Sequence, residues 1–387
     1  MKEVNIWELG LKINIKLNQS FLRKINLLIR RKFKSKEKFY NKEVKGKTNV
    51  PYGTFRNLFK YSYYNTGFFA PLEVFMLCCE KLKIDKYKMQ RNIVSYKTRR
   101  GWNIITNPVL PIKITPIFDM LLAHNIADGT VINPKRNRQI YFGYRQFDKD
   151  SRLAYVRKIE SIFGKIEFKK KDYFEETTRP YCPAVLSQLF FRTYNLNSKS
   201  FLSKSARIPQ EILEKDPDYL LSILLAFIID EGNVDSTLIA IRLKNPELVQ
   251  DLDHICKKLN YKSTIKSKEF YGGLYILREG MKKLFKDYKR FVIRYPEASL
   301  GKFQERIESS LRIYDRKIYK TKGNRELILK MLRSEDLTVN QIAIRIDMTR
   351  QGVRFHIHNL EKLNEIIKKE FMGEGNIVYG VAGGRRC

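Results

Sequence analysis

Two nine-residue stretches share the same order of apolar and polar positions. Residues 121–129 are LLAHNIADG, and residues 224–232 are LLAFIIDEG. Each stretch is mostly apolar through its first six positions, has an acid in the eighth and ends in glycine. Apolar residues on most of the surface predict buried helices, and glycine commonly ends a helix. Asp128 and Glu231 are therefore expected at the ends of two buried helices.

The chain after each stretch repeats one order of predicted elements, and such internal repeats fix the architecture. After Gly129 we expect strands at 131–133 and 139–146, a helix at 151–163, strands at 165–171 and 173–178, and a helix at 183–194. After Gly232 we expect strands at 237–243, 261–268 and 271–277, with helices at 246–259 and 281–291. With its preceding helix, the first half has the order αββαββα, and the second half is close to it.

Small residues suggest how the two helices meet. Ala123 and Ala127 lie on one helix face, and Ala226 lies on the matching face of the second copy. If the helices pair there, Asp128 and Glu231 lie together at one rim. Close carboxylates repel unless they share a proton or a cation, and oxygen ligands with water positions suit Mg²⁺. A divalent ion there could promote phosphodiester cleavage. If only one of the two stretches were present, the simpler interpretation would be a core helix with a solvated acid at its end.

This pair of stretches resembles the motifs of the LAGLIDADG (dodecapeptide, or DOD-type) homing endonucleases over about residues 108–295. The resemblance implies an α+β fold with two pseudo-symmetric αββαββα halves, whose motif helices pack at a pseudo-twofold axis. It also implies a saddle of antiparallel sheets on DNA, and metal-binding, catalytic roles for Asp128 and Glu231. Asp230, in the seventh place of the second motif, departs from the small residue expected there.

A basic residue often lies in this family where the second strand meets the following helix. The resemblance implies Lys149 and Lys244 as the matching catalytic candidates. Lysine there could orient the attacking water or stabilise charge that develops on phosphorus. Contacts with the DNA backbone, or a surface position at the start of a helix, are the alternatives.

Flanking units are expected on both sides of residues 108–198, the first half, and residues 199–298, the second half. Residues 1–107 are predicted to be helical, with short helices that resemble a helix-turn-helix unit; a basic bundle that braces the centre is the alternative. The basic and aromatic run at 86–102 is interpreted as a solvated linker. Residues 299–323 are expected to be a helical linker.

Residues 324–387 are predicted as helices at 325–332, 337–348 and 349–363, followed by two strands within 365–379. Thr349 is a plausible N-cap of the third helix. The order resembles a winged helix-turn-helix domain, which implies that the third helix enters the major groove with Arg350, Gln351 and Arg354 exposed. A small dimerisation unit is the alternative.

Charge supports a polyanionic partner. The 387 residues include 75 Lys plus Arg against 41 Asp plus Glu, a formal net charge of +34, and neutralising phosphates releases counterions. Residue types that bind DNA backbones or bases occur in the predicted turns and strands at Arg136, Arg138, Arg145, Gln146, Lys169, Lys171, Arg242 and Lys266. Lysine-rich strands can also be edges protected from aggregation.

Other classes are disfavoured by the sequence. The longest apolar run, at 219–229, is too short to span a bilayer, and no targeting signal is visible. The five cysteines show no CxxC pairing, and the four histidines lack zinc spacing with them. We expect a cytoplasmic protein with no membrane association, a monomer with internal pseudo-twofold symmetry. The C-terminus lacks the His-Asn pair of inteins, which favours a freestanding protein.

The sequence therefore predicts a site-specific endonuclease that hydrolyses double-stranded DNA with Mg²⁺. Two alternatives stay open. One is a transcription regulator that uses the same saddle and helix-turn-helix without cutting. The other is an RNA-binding intron maturase, for which RNA replaces DNA as the partner.

Overall fold

The computed structural model describes residues 2–10, 12–60, 68–99, 101, 103–132, 140–146, 148–167, 180–235, 237–268, 271–314, 323–372 and 376–382. Helices and small antiparallel sheets are mixed along these segments, which agrees with the predicted α+β class. Predicted DNA contacts Arg136, Arg138, Lys169 and Lys171 lie outside the described residues, as does the strand predicted at 173–178.

The N-terminal unit is not wholly helical, contrary to the prediction. Its helices are α1 Gln19–Phe33, α2 Lys36–Phe39, α3 Tyr52–Asn57, α4 Leu72–Leu82 and α5 Lys86–Arg91, with a π-helical turn at Tyr40–Val44 and a 3₁₀ turn at Ile6–Glu8. Its strands are β1 Glu3–Val4, β2 Ile13–Leu17, β3 Ala70–Pro71, β4 Ile93–Thr98 and β5 Ile104–Thr106. The predicted linker thus contains α5 and β4, where Tyr96 is completely buried.

One sheet joins the N-terminal unit to the first half. Its strand order is β3-β2-β4-β5-β9, all neighbours antiparallel, and β9 is Lys165–Glu167. Ile105 pairs with Ile166 at the centre of the β5–β9 contact, and both side chains are buried. Strand β1 also pairs with β6, Ile112–Lys113, just before the first motif helix. The described residues of the N-terminal unit are therefore built into the same body as the first half.

The two halves contain the motif helices and the elements that follow them. The first half has α6 Pro116–Ala127, β7 Gly129–Ile132, β8 Tyr141–Tyr144, α7 Lys149–Phe163, β9 and α8 Ala184–Thr193. A 3₁₀ turn at Ser198–Phe201 and α9 Gln210–Leu213 lead to the second half. That half has α10 Pro217–Glu231, β10 Gly232–Val234, β11 Leu238–Leu243, α11 Pro246–Lys258, β12 Ser263–Lys268, β13 Tyr271–Leu277 and α12 Arg278–Arg294. The four-stranded sheet has the order β10-β11-β13-β12.

The two motif helices, α6 and α10, pack against each other inside one continuous core. Every residue from Pro116 to Ile126 of α6 is buried, as expected for a helix that is apolar on most of its surface. Ala123 and Ala226 are completely buried, which is consistent with small residues where the helices approach.

The C-terminal elements build a separate core. They are α14 Asn324–Ser334, β14 Leu337–Thr338, α15 Val339–Arg345, α16 Arg350–Lys362, β15 Ile366–Met372 and β16 Asn376–Val381, preceded by a 3₁₀ turn at Pro296–Ala298 and α13 Lys302–Tyr314. The strand order is β14-β16-β15. Helix α15 is shorter than predicted because Thr338 ends a strand and caps the helix, accepting a hydrogen bond from the Gln341 N–H. Thr349 caps α16 as predicted, accepting from the Gly352 N–H.

Candidate active site

The eighth-place acids lie at the C-terminal ends of the two packed helices. Asp128 directly follows α6, and Glu231 is the last residue of α10. Antiparallel strand pairs begin immediately after them, with Gly129 opposite Tyr144 and Gly232 opposite Ile241. Helix packing and strand pairing therefore hold each acid from both sides.

The glycines after the acids have a different role from the predicted one. Gly232 is extended, with φ −81° and ψ 143°, so it does not adopt the left-handed conformation of the usual glycine cap. Glycine is required at these two positions because there is no space for a side chain. A Cβ at Gly129 would lie 2.3 Å from the Asn125 carbonyl oxygen, and one at Gly232 would lie 2.3 Å from that of Ile228. Each strand leaves its helix so closely that only glycine fits.

The two acids lie in an electrostatically unfavourable environment. Burial, together with the nearby carboxylates of Asp230 and Glu231, raises the pKa of Asp128 to about 7. Burial likewise raises the pKa of Glu231 to about 7, with Asp230 contributing. Crowded, partly buried carboxylates favour protonation or a bound cation. Strongly shifted acids of this kind are typical of functional sites.

Gln146 contacts Asp128, although the sequence suggested it as a DNA contact. Its Nε2 donates a hydrogen bond to Asp128 Oδ2. The Gln146 carbonyl in turn accepts from Arg152 Nη1 at 2.5 Å, and Arg152 is completely buried. A buried arginine therefore fixes the segment after β8 so that the Gln146 amide faces the acid.

Asp230 joins the two motif helices by a polar contact. His124 Nδ1 on α6 lies 2.8 Å from Asp230 Oδ2, and the Tyr144 hydroxyl donates to Oδ1 at 2.6 Å. The His124 and Asp230 side chains are almost wholly inaccessible to solvent. Burial lowers the pKa of His124 against the opposing charge of Asp230, which favours the neutral ring, and the tautomer protonated at Nδ1 would donate to Asp230 Oδ2. The seventh-place acid is thus accommodated by a matching histidine.

A second layer of polar groups surrounds this pair. The Tyr144 and Tyr155 rings stack with centroids 3.9 Å apart, and the Tyr155 hydroxyl lies 2.9 Å from Asn125 Nδ2. Burial lowers the pKa of Lys158 to about 8, against the opposing charges of Asp230 and Glu297. Sequence reasoning missed these residues because each lies in an ordinary amphipathic or apolar segment.

The two candidate catalytic lysines do not occupy corresponding positions. Asp148 caps α7 and Asn245 caps α11. Lys149 is therefore the first residue of its helix, whereas Lys244 precedes the cap of its own. Both are exposed. Their catalytic role stays a prediction, and the assumed equivalence between them is wrong.

A row of cationic side chains crosses the exposed face of the four-stranded sheet. Arg242 on β11 and Lys266 on β12 both pair with Gly273 on β13, so the two side chains leave the same face. Both are exposed. Lys266 Nζ lies 5.5 Å from the centroid of the Tyr275 ring. By strand register, Arg145 occupies the place in the first half that Arg242 has in the second, and it too is exposed.

The third C-terminal helix presents a polar face to solvent. Arg350, Gln351 and Arg354 are exposed on α16, while Val353, Ile357 and Leu360 are buried in the separate core. The predicted orientation of the three polar residues is therefore consistent with a surface available to a partner.

Within the segments that the structure describes, no group of three or more His, Cys, Asp or Glu side chains could hold a metal ion. A metal ion held by Asp128 and Glu231 would therefore have these two carboxylates as ligands, and its other ligands would not be further His, Cys, Asp or Glu side chains of the described segments. Among the described helices, none is both long and apolar enough to cross a membrane.

No family model and no curated protein matches this chain. Among solved structures, it is similar to mesophilic variants of the homing endonuclease I-DmoI, with 14% identity and a TM-score of 0.33, over 44% of this chain and 88% of that chain. It is similar to the homing endonuclease I-WcaI bound to its DNA recognition sequence, with 16% identity and a TM-score of 0.32, over 45% and 81%. Full-length DUF199/WhiA from Thermatoga maritima is 15% identical, with a TM-score of 0.28, over 64% and 90%. Similarity at this level does not establish membership of a family.

Proposed function

We propose that this protein is a site-specific endonuclease that cuts double-stranded DNA with a divalent metal, in the manner of the LAGLIDADG homing endonucleases. One observation carries the proposal. Asp128 and Glu231 lie at the C-terminal ends of two packed helices of matching sequence, and burial together with neighbouring carboxylates raises the pKa of each to about 7. Two crowded, partly buried carboxylates with strongly raised pKa values are typical of a functional site.

The residues suit a hard divalent cation. Carboxylate oxygens are its preferred ligands, and a cation relieves the repulsion among Asp128, Asp230 and Glu231. Mg²⁺ is proposed because it binds through one or two carboxylates and retains several waters. Asp128 and Glu231 would hold the ion, which supplies Lewis-acid activation for phosphodiester hydrolysis.

The remaining residues of the site orient the acids. Gln146 fixes the Asp128 carboxylate through its side-chain amide. Asp230 and His124 tie the two helix ends together, so that the acids keep their relative positions. Lys149 and Lys244 are proposed to contact the cleaved phosphates. Lys244 directly follows strand β11, whereas Lys149 comes five residues after the end of β8.

DNA is proposed to lie across the exposed sheet faces. Arg242 and Lys266 form one cationic row on the second sheet, and Arg145 is the counterpart of Arg242 in the first half. Arginine and lysine in such positions bind phosphates and guanine edges. The two halves are proposed to be related by a pseudo-twofold axis between α6 and α10, which would place one acid near each strand of the duplex.

The C-terminal unit is proposed to be a winged helix-turn-helix domain. Its support is the element order and the β14-β16-β15 sheet, with α16 as the helix in the major groove. Arg350, Gln351 and Arg354 would then extend the contacts beyond the central saddle.

The proposal is tested with duplexes that the full-length protein selects from a randomised library, incubated with and without Mg²⁺. Asp128→Asn and Glu231→Gln are expected to bind these duplexes but to lose cutting, since each change removes a metal ligand and keeps the side-chain shape. Glu279→Gln is the control, because that acid is 73% exposed and pairs with Lys262 on the surface. Cutting that survives in either site variant would contradict the assignment.

The same experiment separates the alternatives. Selective duplex binding without cutting by the parent protein would favour the regulator. Preferential retention of structured RNA over any duplex would favour the maturase. In both cases Asp128→Asn and Glu231→Gln would bind the nucleic acid as the parent protein does.

A further inference from the structure

The face of α16 opposite its buried side has a large apolar residue at its centre. Gln351, Phe355, His358 and Lys362 follow one another at spacings of four, three and four residues, which places them on one helix face. The Phe355 side chain is 63% exposed. The other three are polar or cationic and also exposed.

The exposure of Phe355 is not by itself evidence of a binding site, because single exposed apolar residues are common. Its position is more informative. The face around it carries Arg354 and Lys362 as cations. Glu361, the acid on the same helix, lies to one side and pairs with Lys368 at 3.4 Å. An apolar ring surrounded by cations and hydrogen-bonding groups suits a polyanion that also presents an apolar group.

We propose that Phe355 contacts the C5-methyl group of thymine in the major groove, which makes it a specificity-determining residue for an A·T base pair. The inference rests on the proposed role of α16 in DNA binding and adds a kind of contact that charge and hydrogen bonding do not supply. The thymine methyl is the apolar group that a base pair exposes in the major groove, and phenylalanine is among the side chains that contact it.

Gln351 supports the same assignment. It lies one helical turn before Phe355 on the same face, and glutamine can bind the adenine N6 and N7 edge with two hydrogen bonds. The two side chains together would recognise neighbouring A·T pairs, whereas Arg350 and Arg354 favour guanine. The helix would therefore distinguish base composition along its length.

The test uses the full-length protein and duplexes that it selects from a randomised library. Each thymine of a selected duplex is replaced in turn by deoxyuridine, which lacks only the methyl group. For the parent protein we expect about fourfold weaker binding at one or two thymines, the effect of returning one methyl group to water. Phe355→Ala should bind the thymine duplex about fourfold more weakly and show no further loss with deoxyuridine.

Two further variants control the experiment. Leu363→Ala removes another exposed apolar side chain, 53% exposed and just beyond the helix, and should keep the full deoxyuridine effect. Phe355→Leu should keep part of it. Because Phe355 lies outside the core, unfolding curves of both Phe355 variants should match the parent.

The outcomes are distinguishable. Selected duplexes bound equally with thymine and deoxyuridine would overturn this inference and leave the nuclease proposal intact, provided that Mg²⁺-dependent cutting persists. A deoxyuridine effect that survives in Phe355→Ala would also overturn it. So would sedimentation that shows the parent protein as a dimer and Phe355→Ala as a monomer, because Phe355 would then lie between two copies of the chain. Failure to select any duplex would contradict the proposed function together with this inference.

Discussion

At the scale of the residue, the acids at the helix ends oppose folding in the metal-free protein. The pKa of Asp128 rises from 3.8 to about 7, so the folded chain holds a proton that the unfolded chain has already released. The same holds for Glu231, whose ordinary value is 4.5. Between these values the folded state binds more protons, and its stability therefore falls as pH rises towards 7.

This sign gives a direct prediction for Asp128→Asn. Asparagine cannot ionise, so near pH 4 the variant should be about as stable as the parent, and above pH 7 it should be more stable. The free energy of unfolding, measured with urea at several pH values in the presence of a chelator, checks the trend. Adding Mg²⁺ should reduce the difference by stabilising the parent. A constant difference across this pH range would mean that the Asp128 carboxyl has an ordinary pKa.

At the scale of the element, stability depends on how closely α6 and α10 approach. Ala123 is completely buried on α6, and interiors are packed too densely to accept extra methyl groups without strain.

Ala123→Leu is therefore expected to lower the free energy of unfolding by roughly 1–3 kcal/mol. Ala127→Leu is the matched control on the same helix, since Ala127 is only partly buried, and it should cost less. Urea unfolding of both variants gives the comparison. Equal losses would indicate that Ala123 does not lie at a tighter contact than Ala127.

Sequence patterns predicted the helices and strands of the site well, but they predicted poorly which other residues and strands contact them. Both motif helices, their acids, the strand pair after the first of them and the Thr349 cap follow from periodicity and end signals within a few residues, whereas β10, the strand directly after α10, was not predicted. The β5–β9 pairing and the contact between His124 and Asp230 join residues far apart in the chain, by 106 positions for the second pair. Periodicity records that a face is buried and not what covers it. For that reason β4 was mistaken for linker, and the hydrogen bond between Gln146 and Asp128 was not foreseen, while the DNA contact of Gln146 stays a prediction.

At the scale of the whole molecule, the terminal units differ in their dependence on the centre. The C-terminal unit has its own core, whereas the N-terminal unit shares a sheet and a core with the first half.

Deleting residues 324–387 is therefore expected to shorten the footprint on a selected duplex and to leave Mg²⁺-dependent cutting detectable. Binding by both proteins should weaken steeply with salt, because much of the affinity of a chain with net charge +34 comes from phosphates. Deleting residues 1–107 is the contrasting control, since it removes the partner of β9 and should prevent stable folding. Identical footprints for the full-length and C-terminally truncated proteins would show that the last unit does not contact this DNA.

The shared sheet also has a consequence for synthesis on the ribosome. Strand β5 ends at residue 106, but β9, which completes the sheet beside it, begins at residue 165. At roughly 5–20 residues per second, translation leaves that edge open for on the order of 3–12 seconds. Unpaired N–H and C=O groups on such an edge are templates for association with other chains. Nascent chains interrupted before residue 165 should therefore be the aggregation-prone products of this gene, and chaperone binding should concentrate in that interval.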